Sequence, residues 1–337
     1  MKNLKQTFKG LLVALVLTGF TSCSDADDNG NIMEQDTTIA GLVSNDSNFE
    51  ILLAAAVKAN LVSTLSTVSD NRLTVFAPTD DAFLTFLDVS TEAEATAAIE
   101  AMSSAEVRNL LLNHVLPEAV SASEVVTGYV KSMAENESGD NLDLYLEVNS
   151  GNVMINGDAE VTQTDIVADN GIIHVVDAVI PEATIATFAM ADASFSTLLA
   201  AVAQEELAAT LAGEGNFTVF APTNTAFTAL LNADVNDALE TAADILALGN
   251  AGTSTMSTLD NILRHHVIAS AAVRAEDLST TGDTEASPLF GADLSIDATA
   301  TPPTITDGSG TTHLIIATNI TATNGVIHAI DGVLMPL

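Results

Sequence analysis

Histidine recurs at matching places along the chain, and it is the side chain best suited to acid/base work and metal binding near neutral pH. His114 and His174 are followed, at a similar spacing, by His266 and His328. A zinc site or a general base would need a third ligand or a nucleophile beside each pair, and no such residue recurs with them. The pattern favours partly buried histidines that link strands and loops by hydrogen bonds, and it predicts no catalytic residues.

The only cysteine, Cys23, follows what reads as a secretory leader. An apolar run over 10–17 follows Lys2, Lys5 and Lys9, and it is shorter than the roughly 20 residues that a transmembrane helix needs. The end of this segment resembles a bacterial lipobox, in which the cysteine is lipidated and becomes the new N-terminus, although Phe20 replaces the usual leucine. We therefore predict a lipoprotein signal peptide over 1–22 and lipid attachment at Cys23. The alternative is an ordinary signal peptide with a chance cysteine.

An acidic segment follows the cysteine, and we interpret 23–37 as a solvated linker. Acidic residues in this place resemble the surface-export signal of Bacteroidetes lipoproteins. A second hypothesis is a calcium loop, because the spacing of an EF-hand is matched by Asp25, Asp27, Asn29 and Asp36. Asp36 stands where the usual ligand is a bidentate glutamate, so this metal site is a weak candidate. No other metal site and no cofactor is predicted.

Composition excludes several classes of function. The formal net charge is −36 and the pI about 4.1, which argues against binding nucleic acid through phosphates and against attraction to anionic lipid. Removal of 1–22 takes away three of the nine Lys and Arg residues and no acidic residue, so the charge falls to −39. One cysteine allows no internal disulfide, and the absence of Trp together with only two Tyr argues against an aromatic binding platform. Because 47% of the residues are apolar, the chain can bury two cores.

The chain is an internal duplication. The segment Thr74-Val75-Phe76-Ala77-Pro78-Thr79 returns at 218–223, and the segment Asn170-Gly171-Ile172-Ile173-His174-Val175-Val176-Asp177 returns at 324–331. The copies are about 150 residues apart, so each is a whole domain. We predict domains over 38–183 and 184–337. Each begins with helices and ends with alternating strands that we expect to form antiparallel hairpins, with a tight turn at Asn170-Gly171 and Asn324-Gly325, which predicts an α+β fold. We expect Asp177 and Asp331 to bond to backbone at the ends of their strands.

These two repeated segments resemble the two signature boxes of the fasciclin (FAS1) domain. The resemblance covers nearly all of the chain after the linker and implies two tandem domains, each a β-sandwich or wedge with several helices. It also implies adhesion or matrix binding outside the cell, and no catalysis. The family's Tyr-His motif, linked to receptor recognition in animal members, is altered, because Asn113 and His265 stand in place of the tyrosine. The histidines of the motif remain, and they make His114 and His266 candidate binding residues.

The sequence thus predicts a non-catalytic adhesion or surface-binding protein outside the cytoplasm. Its expected partner is an extracellular matrix protein or a glycan, with the membrane reached only through the lipid. The expected location is the outer membrane and cell surface, with the periplasmic face as the alternative. Two other functions stay open: an enzyme or accessory protein in polysaccharide processing, which would need a polar cleft with convergent titratable groups, and a structural spacer.

Overall fold

Both halves of the chain build the same series of elements: short helices, one strand, more helices and then a run of strands. The computed structural model describes residues 36–69, 72–233, 242–247, 258–269, 271–278 and 282–336. The predicted leader, Cys23 and three of the candidate calcium residues, Asp25, Asp27 and Asn29, lie outside the described residues. Asp36 is described, and its carboxylate accepts hydrogen bonds from the backbone N–H and the hydroxyl of Thr38, so it serves the start of the first helix.

The helices of both repeats are short, and the first helix of each repeat begins at a threonine cap. In the first repeat they are α1 (Ile39–Asn45), α2 (Glu50–Lys58), α3 (Val62–Ser66), α4 (Asp80–Phe86), α5 (Glu92–Ala101) and α6 (Ser104–Leu112). In the second repeat they are α7 (Ile185–Ala191), α8 (Ser196–Gln204), α9 (Ala208–Ala212), α10 (Asn224–Ala233), α11 (Ala242–Ala247) and α12 (Thr258–His265). Thr38 and Thr184 cap α1 and α7 through their hydroxyls, so both repeats open in the same way.

Each repeat carries one seven-stranded sheet that forms a wedge with its helices. The first sheet contains β1 (Leu73–Pro78), β2 (Val115–Leu116), β3 (Gly128–Glu135), β4 (Asn141–Asn149), β5 (Asn152–Ile155), β6 (Ala159–Ala168) and β7 (Gly171–Val176). The second contains β8 (Phe217–Pro222), β9 (Val267–Ile268), β10 (Thr284–Ala286), β11 (Leu294–Asp297), β12 (Thr304–Thr306), β13 (Thr312–Ala322) and β14 (Gly325–Ile330). The strand orders are β2-β1-β7-β6-β5-β4-β3 and β10-β11-β12-β13-β14-β8-β9. The α+β prediction is confirmed.

The two signature boxes of each repeat lie side by side as a parallel pair of strands. Strand β1 pairs with β7 over its whole length, from Leu73 opposite Gly171 to Pro78 opposite Val176, and β8 pairs with β14 in the same register. The antiparallel hairpins expected of the later strands are present from β3 to β7, whereas the parallel pairing of β1 with β7 was not predicted. Both strands of each pair are largely buried, which is typical of parallel strands.

The expected Asn-Gly turns are present but shifted by one residue. In the first repeat the turn consists of Asp169 and Asn170, while Gly171 already pairs with Ala168 as the first residue of β7. Gly171 is required by a close approach, because a Cβ atom there would lie 2.2 Å from the carbonyl oxygen of Leu73. Gly171 therefore allows β7 to pack closely against β1. The turn itself is made by the two residues before it, Asp169 and Asn170.

The apolar core of the second repeat extends into the first. One cluster of buried side chains contains Phe188, Phe195 and Phe217 of the second repeat together with Tyr145 of the first, and Tyr129 packs against it. The rings of Tyr129 and Phe188 meet edge to face with their centroids 5.4 Å apart. Since the chain contains two tyrosines, both of them are used at the contact between the repeats.

Within the described residues, no single helix is long and apolar enough to cross a membrane. The helical segments Ile185–Ala191 and Ala193–Gln204 satisfy the length and composition criteria together, but they are bent by 96° at the break between them. Phe188, Phe195 and Leu198 of this pair lie in the core of the second repeat.

Candidate functional site

The asparagine that begins the second box is a buried clamp in both repeats. Asn170 is 1% exposed; its Oδ1 accepts from the N–H of Ile39 at 2.9 Å, and its Nδ2 donates to the carbonyls of Leu65 and Thr67. This side chain therefore joins the start of α1 and the end of α3 to the β6–β7 turn. An asparagine is needed because the site requires one acceptor and two donors at the same end of a side chain.

Asn324 repeats the same clamp in the second repeat. Its Oδ1 accepts from the N–H of Ile185, and its Nδ2 donates to the carbonyls of Leu211 and Gly213. The sequence analysis interpreted Asn170 and Asn324 only as turn residues. Their recurrence was the signal that a second role existed, but local spacing does not show which distant backbone groups they reach.

The histidine in the middle of each second box holds a bulge of the neighbouring strand. Nδ1 of His174 accepts from the N–H of Asp165 at 3.2 Å, and its Nε2 donates to the carbonyl of Val120 at 2.9 Å. Asp165 has a positive φ of 59° and lies where the β6–β7 register shifts. A residue in this left-handed conformation is strained, and the histidine satisfies the amide that the bulge leaves unpaired.

His328 makes the matching bonds in the second repeat. Its Nδ1 accepts from the N–H of Asn319, and its Nε2 donates to the carbonyl of Val273. Asn319 also has a φ of 59°. The aspartates that end the boxes, Asp177 and Asp331, accept hydrogen bonds from the backbone N–H groups of Glu160 and Leu314, in agreement with the structural role expected of them. All of these polar groups are therefore used to hold the parallel strand pair and its neighbours in place.

The candidate binding residues His114 and His266 are inside the repeats. His114 donates from Nδ1 to the carbonyl of Leu110 at 2.8 Å and accepts at Nε2 from the N–H of Ile180 at 2.9 Å. His266 makes the matching bonds to Ile262 and to the N–H of Leu334. Because both ring nitrogens are engaged and the side chains are buried, neither histidine offers an atom to a ligand, and the geometry corrects the predicted binding role to a structural one.

The residues in place of the family tyrosine are buried as well. Asn113 donates to the carbonyls of Ile180 and Pro181, and Nδ1 of His265 lies 2.7 Å from the carbonyl oxygen of Phe290. Both side chains have 0% exposure. The altered motif thus lies beneath the surface in both repeats, where it bonds to the segments that follow β7 and β10.

Burial of His114 and His266 makes stability depend on pH. Loss of water around each ring lowers its pKa to about 4. A histidine whose pKa is lower in the folded state binds its proton preferentially in the unfolded chain, so its contribution is complete above the unfolded pKa of about 6.5. That contribution falls as the pH drops from about 6.5 to about 4, by roughly 3 kcal/mol for each ring.

We therefore expect the free energy of unfolding in urea to decrease between pH 7 and pH 4.5. Protonation of exposed carboxylates acts in the opposite direction, because it relieves the repulsion of a chain with net charge −36. The variant His114→Asn separates the two effects: it should be less stable than wild type at pH 7 but should lose less stability on acidification. An equal loss in wild type and variant would contradict the assignment of this titration to His114.

A polar network crosses the contact between the repeats. Asp143, on β4, has a side chain that is 5% exposed and accepts from Lys131 Nζ at 2.6 Å and from the backbone N–H of Thr321 at 2.6 Å. Lys131 also donates to the hydroxyl of Thr321 and to the carbonyl of Asn319. A carboxylate of the first repeat is thereby bonded to the central bulged strand β13 of the second.

A second ion pair closes the network. Arg274 Nη2 lies 2.5 Å from Asp140 Oδ2, and Nη1 of the same guanidinium donates to the hydroxyl of Thr321. Burial raises the pKa of Asp143, while Lys131 and the amide of Thr321 act against that rise. The network and the tyrosine cluster together hold the repeats in one arrangement.

The surface is strongly acidic, and the described cations are engaged within the chain. Lys58 pairs with Glu100, Arg264 with Asp260, and Lys131 and Arg274 belong to the network between repeats. Arg72 and Arg108 donate to backbone carbonyls. Among the described residues, no group of three or more His, Cys, Asp or Glu side chains is placed to hold a metal ion. The prediction of calcium at Asp25, Asp27, Asn29 and Asp36 remains a prediction, because most of its residues lie outside the described ranges.

Comparison with known proteins identifies the protein family to which this chain belongs. The Fasciclin domain model matches residues 47–182 and 193–336. The chain is 30% identical over 266 residues to the transforming growth factor-beta-induced protein ig-h3 of Sus scrofa, an alignment that covers 78% of this chain and 34% of that protein. It is 34% identical over 147 residues to the protein sll1483 of Synechocystis, covering 42% of this chain and 72% of that one.

Human periostin is 28% identical over 194 residues, which cover 57% of this chain and 21% of periostin. A solved FAS1 domain pair from the insect cell adhesion molecule Fasciclin I aligns over 88% of this chain and 95% of that chain, with 18% identity and a TM-score of 0.48. The chain spans about a third of ig-h3 and a smaller part of periostin. Because the family model matches both repeats across most of the chain, the chain belongs to the fasciclin domain family and carries two of its domains in tandem.

Proposed function

We propose that this protein is a non-catalytic adhesion protein that is held at the outer membrane by a lipid on Cys23 and binds a matrix protein or a glycan at the cell surface. Proteins with fasciclin domains are typically adhesion or extracellular proteins. The observation that carries the proposal is that the recurring polar side chains are used in hydrogen bonds to the backbone. Asn170, His174 and His114, with their counterparts, bond to backbone inside the fold, and Asp177 bonds to backbone at the surface. The other exposed side chains of the two domains are therefore left as the surface for recognition.

The joint between the domains gives the proposal a mechanism. If each domain offers one weak contact, a fixed arrangement presents both contacts to the same partner and raises the effective concentration of the second. The buried bonds of Asp143 to Lys131 and Thr321 support such an arrangement. A strongly negative surface also disfavours anionic partners, so neutral or basic matrix components fit better.

A structural spacer is the second candidate, and the same joint favours it. A pair of domains with a fixed angle can hold another molecule away from the membrane without binding a matrix component. The two functions differ in one respect: an adhesion protein retains cells on a coated surface, whereas a spacer does not.

The anchor is tested by Cys23→Ser. Cys23 is the only cysteine and follows an apolar leader, so its loss should remove the lipid and release the chain from the membrane fraction into the soluble fraction. Cell fractionation with detection of the chain measures this directly, and a Ser24→Ala variant controls for changes near the cleavage site. If the Cys23→Ser chain stays in the membrane fraction to the same extent as wild type, the lipid anchor is refuted.

A further inference from the structure

An apolar cavity lies inside the second domain between α7, α8, α9 and the sheet. Its volume is about 80 Å³, and its wall includes Ile185, Leu198, Leu211, Val219 and Ile327. His266 also lines it, but both ring nitrogens of His266 are bonded to backbone. A polar group placed inside would lose its hydrogen bonds to water without replacing them, so the cavity selects for hydrocarbon.

The first domain has a cavity at the equivalent place, and it is much smaller. Its volume is about 30 Å³, and its wall includes Val43 and Val62. The matching positions in the second domain are Ala189 and Ala208, which lack the two methyl groups of each valine. Val202 replaces the smaller Ala56, which offsets only part of the difference. The two alanines therefore account for the larger space in the second domain.

The mouth of the larger cavity is apolar as well. Met190 and Leu289 both line it, although 64% of Met190 and 44% of Leu289 is exposed to solvent. In the first domain the position of Met190 is taken by Ser44, whose hydroxyl donates to the carbonyl of Gly41. An exposed methionine beside an apolar cavity is an adaptable contact for hydrocarbon, because its side chain is flexible and polarisable.

We propose that the second domain, and not the first, binds the alkyl end of a small amphiphile in this cavity. A cavity of about 150 Å³ holds one benzene molecule, so about 80 Å³ accommodates roughly three to four carbons, with the rest of the chain leaving between Met190 and Leu289. The head group is neutral or cationic, because the chain carries a net charge of −36 and repels anions. This site is independent of the proposed adhesion.

The test is a titration of the full mature chain carrying Cys23→Ser, which needs no detergent, with 1-hexanol as the neutral probe. Methyl ¹³C NMR follows Met190 and Leu289, while Val43 and Val62 of the first domain serve as internal controls. We expect saturable shifts at Met190 and Leu289 and none at the two valines. Hexanoate, an anionic probe of equal chain length, should bind more weakly than 1-hexanol.

The matched variant Ala189→Val/Ala208→Val gives the second domain the side chains of the first. It should reduce affinity for 1-hexanol at least tenfold while leaving the melting temperature equal or higher. Met190→Ser, an exposed substitution that copies Ser44, should weaken binding without affecting folding and serves if the double variant does not fold. Unsaturable shifts in wild type, or equal affinity in wild type and Met190→Ser, would overturn the proposal.

Discussion

Lys131→Met is expected to be among the most destabilising single substitutions in this chain. It removes the cation from Asp143, whose side chain is 5% exposed, and leaves that carboxylate between the two domains with the backbone N–H of Thr321 as a hydrogen-bond donor. Only the Asp143 side of this pair is buried, because the Lys131 side chain is 44% exposed and Arg274 remains near the carboxylate, so the expected loss is about 2–3 kcal/mol. Urea unfolding at pH 7 measures the loss.

Two comparisons show whether the effect comes from the buried charge. The double variant Lys131→Met/Asp143→Asn should recover much of the stability, because the amide oxygen still accepts from the N–H of Thr321 and no buried charge is left without its cation. Lys58→Met is the matched control: Lys58 pairs at 3.4 Å with Glu100, whose side chain is 60% exposed, so its loss leaves no buried carboxylate and should cost under about 1 kcal/mol. If Lys131→Met and Lys58→Met destabilise equally, the network between domains contributes little to the fold.

Asn170→Ala is expected to be comparably destabilising. It leaves the N–H of Ile39 and the carbonyls of Leu65 and Thr67 without the partner that Asn170 supplies. Each buried group left unsatisfied costs about 1–3 kcal/mol, so a total on the order of 3–5 kcal/mol is expected. The same substitution at Asn324 should have an effect of similar size, because Asn324 makes the matching set of bonds.

The control for the clamp is Asn152→Ala, at an exposed position at the start of β5. It should change the free energy of unfolding by no more than about 0.5 kcal/mol. Asn170→Asp adds a sharper test, since it keeps the acceptor for Ile39 but replaces the donor to Leu65 with an oxygen. Full stability of Asn170→Asp would contradict the requirement for both donor and acceptor.

The sequence predicted the features that depend on residue type and local spacing. The duplication, the α+β character and the backbone bonds of Asp177 and Asp331 all followed from the repeated boxes. The parallel strand pairing did not, because β1 and β7 are separated by most of a domain and their buried residues suit a parallel or an antiparallel neighbour equally well. Asn170 was misjudged for a related reason: an asparagine before a glycine fits a turn, and its distant partners cannot be found from spacing.

The contact between the domains was also not predicted from the sequence. Tyr129 and Tyr145 were noted only because tyrosine is rare in this chain, yet they join the core of the second domain. Lys131 and Asp143 lie opposite each other on neighbouring strands of the first domain, and nothing local indicates that Thr321 lies beside them. A charge that is buried only by a second domain looks like an ordinary surface charge in the sequence.

The most direct test of the account is adhesion of whole cells under flow. Cells that carry the wild-type chain, cells that lack it and cells that carry Cys23→Ser are passed over surfaces coated with individual matrix proteins and glycans. The account predicts that wild-type cells are retained on at least one coating and that the other two strains are washed away from it. Equal retention of the three strains on every coating would contradict the proposal that this pair of fasciclin domains is an anchored adhesion protein.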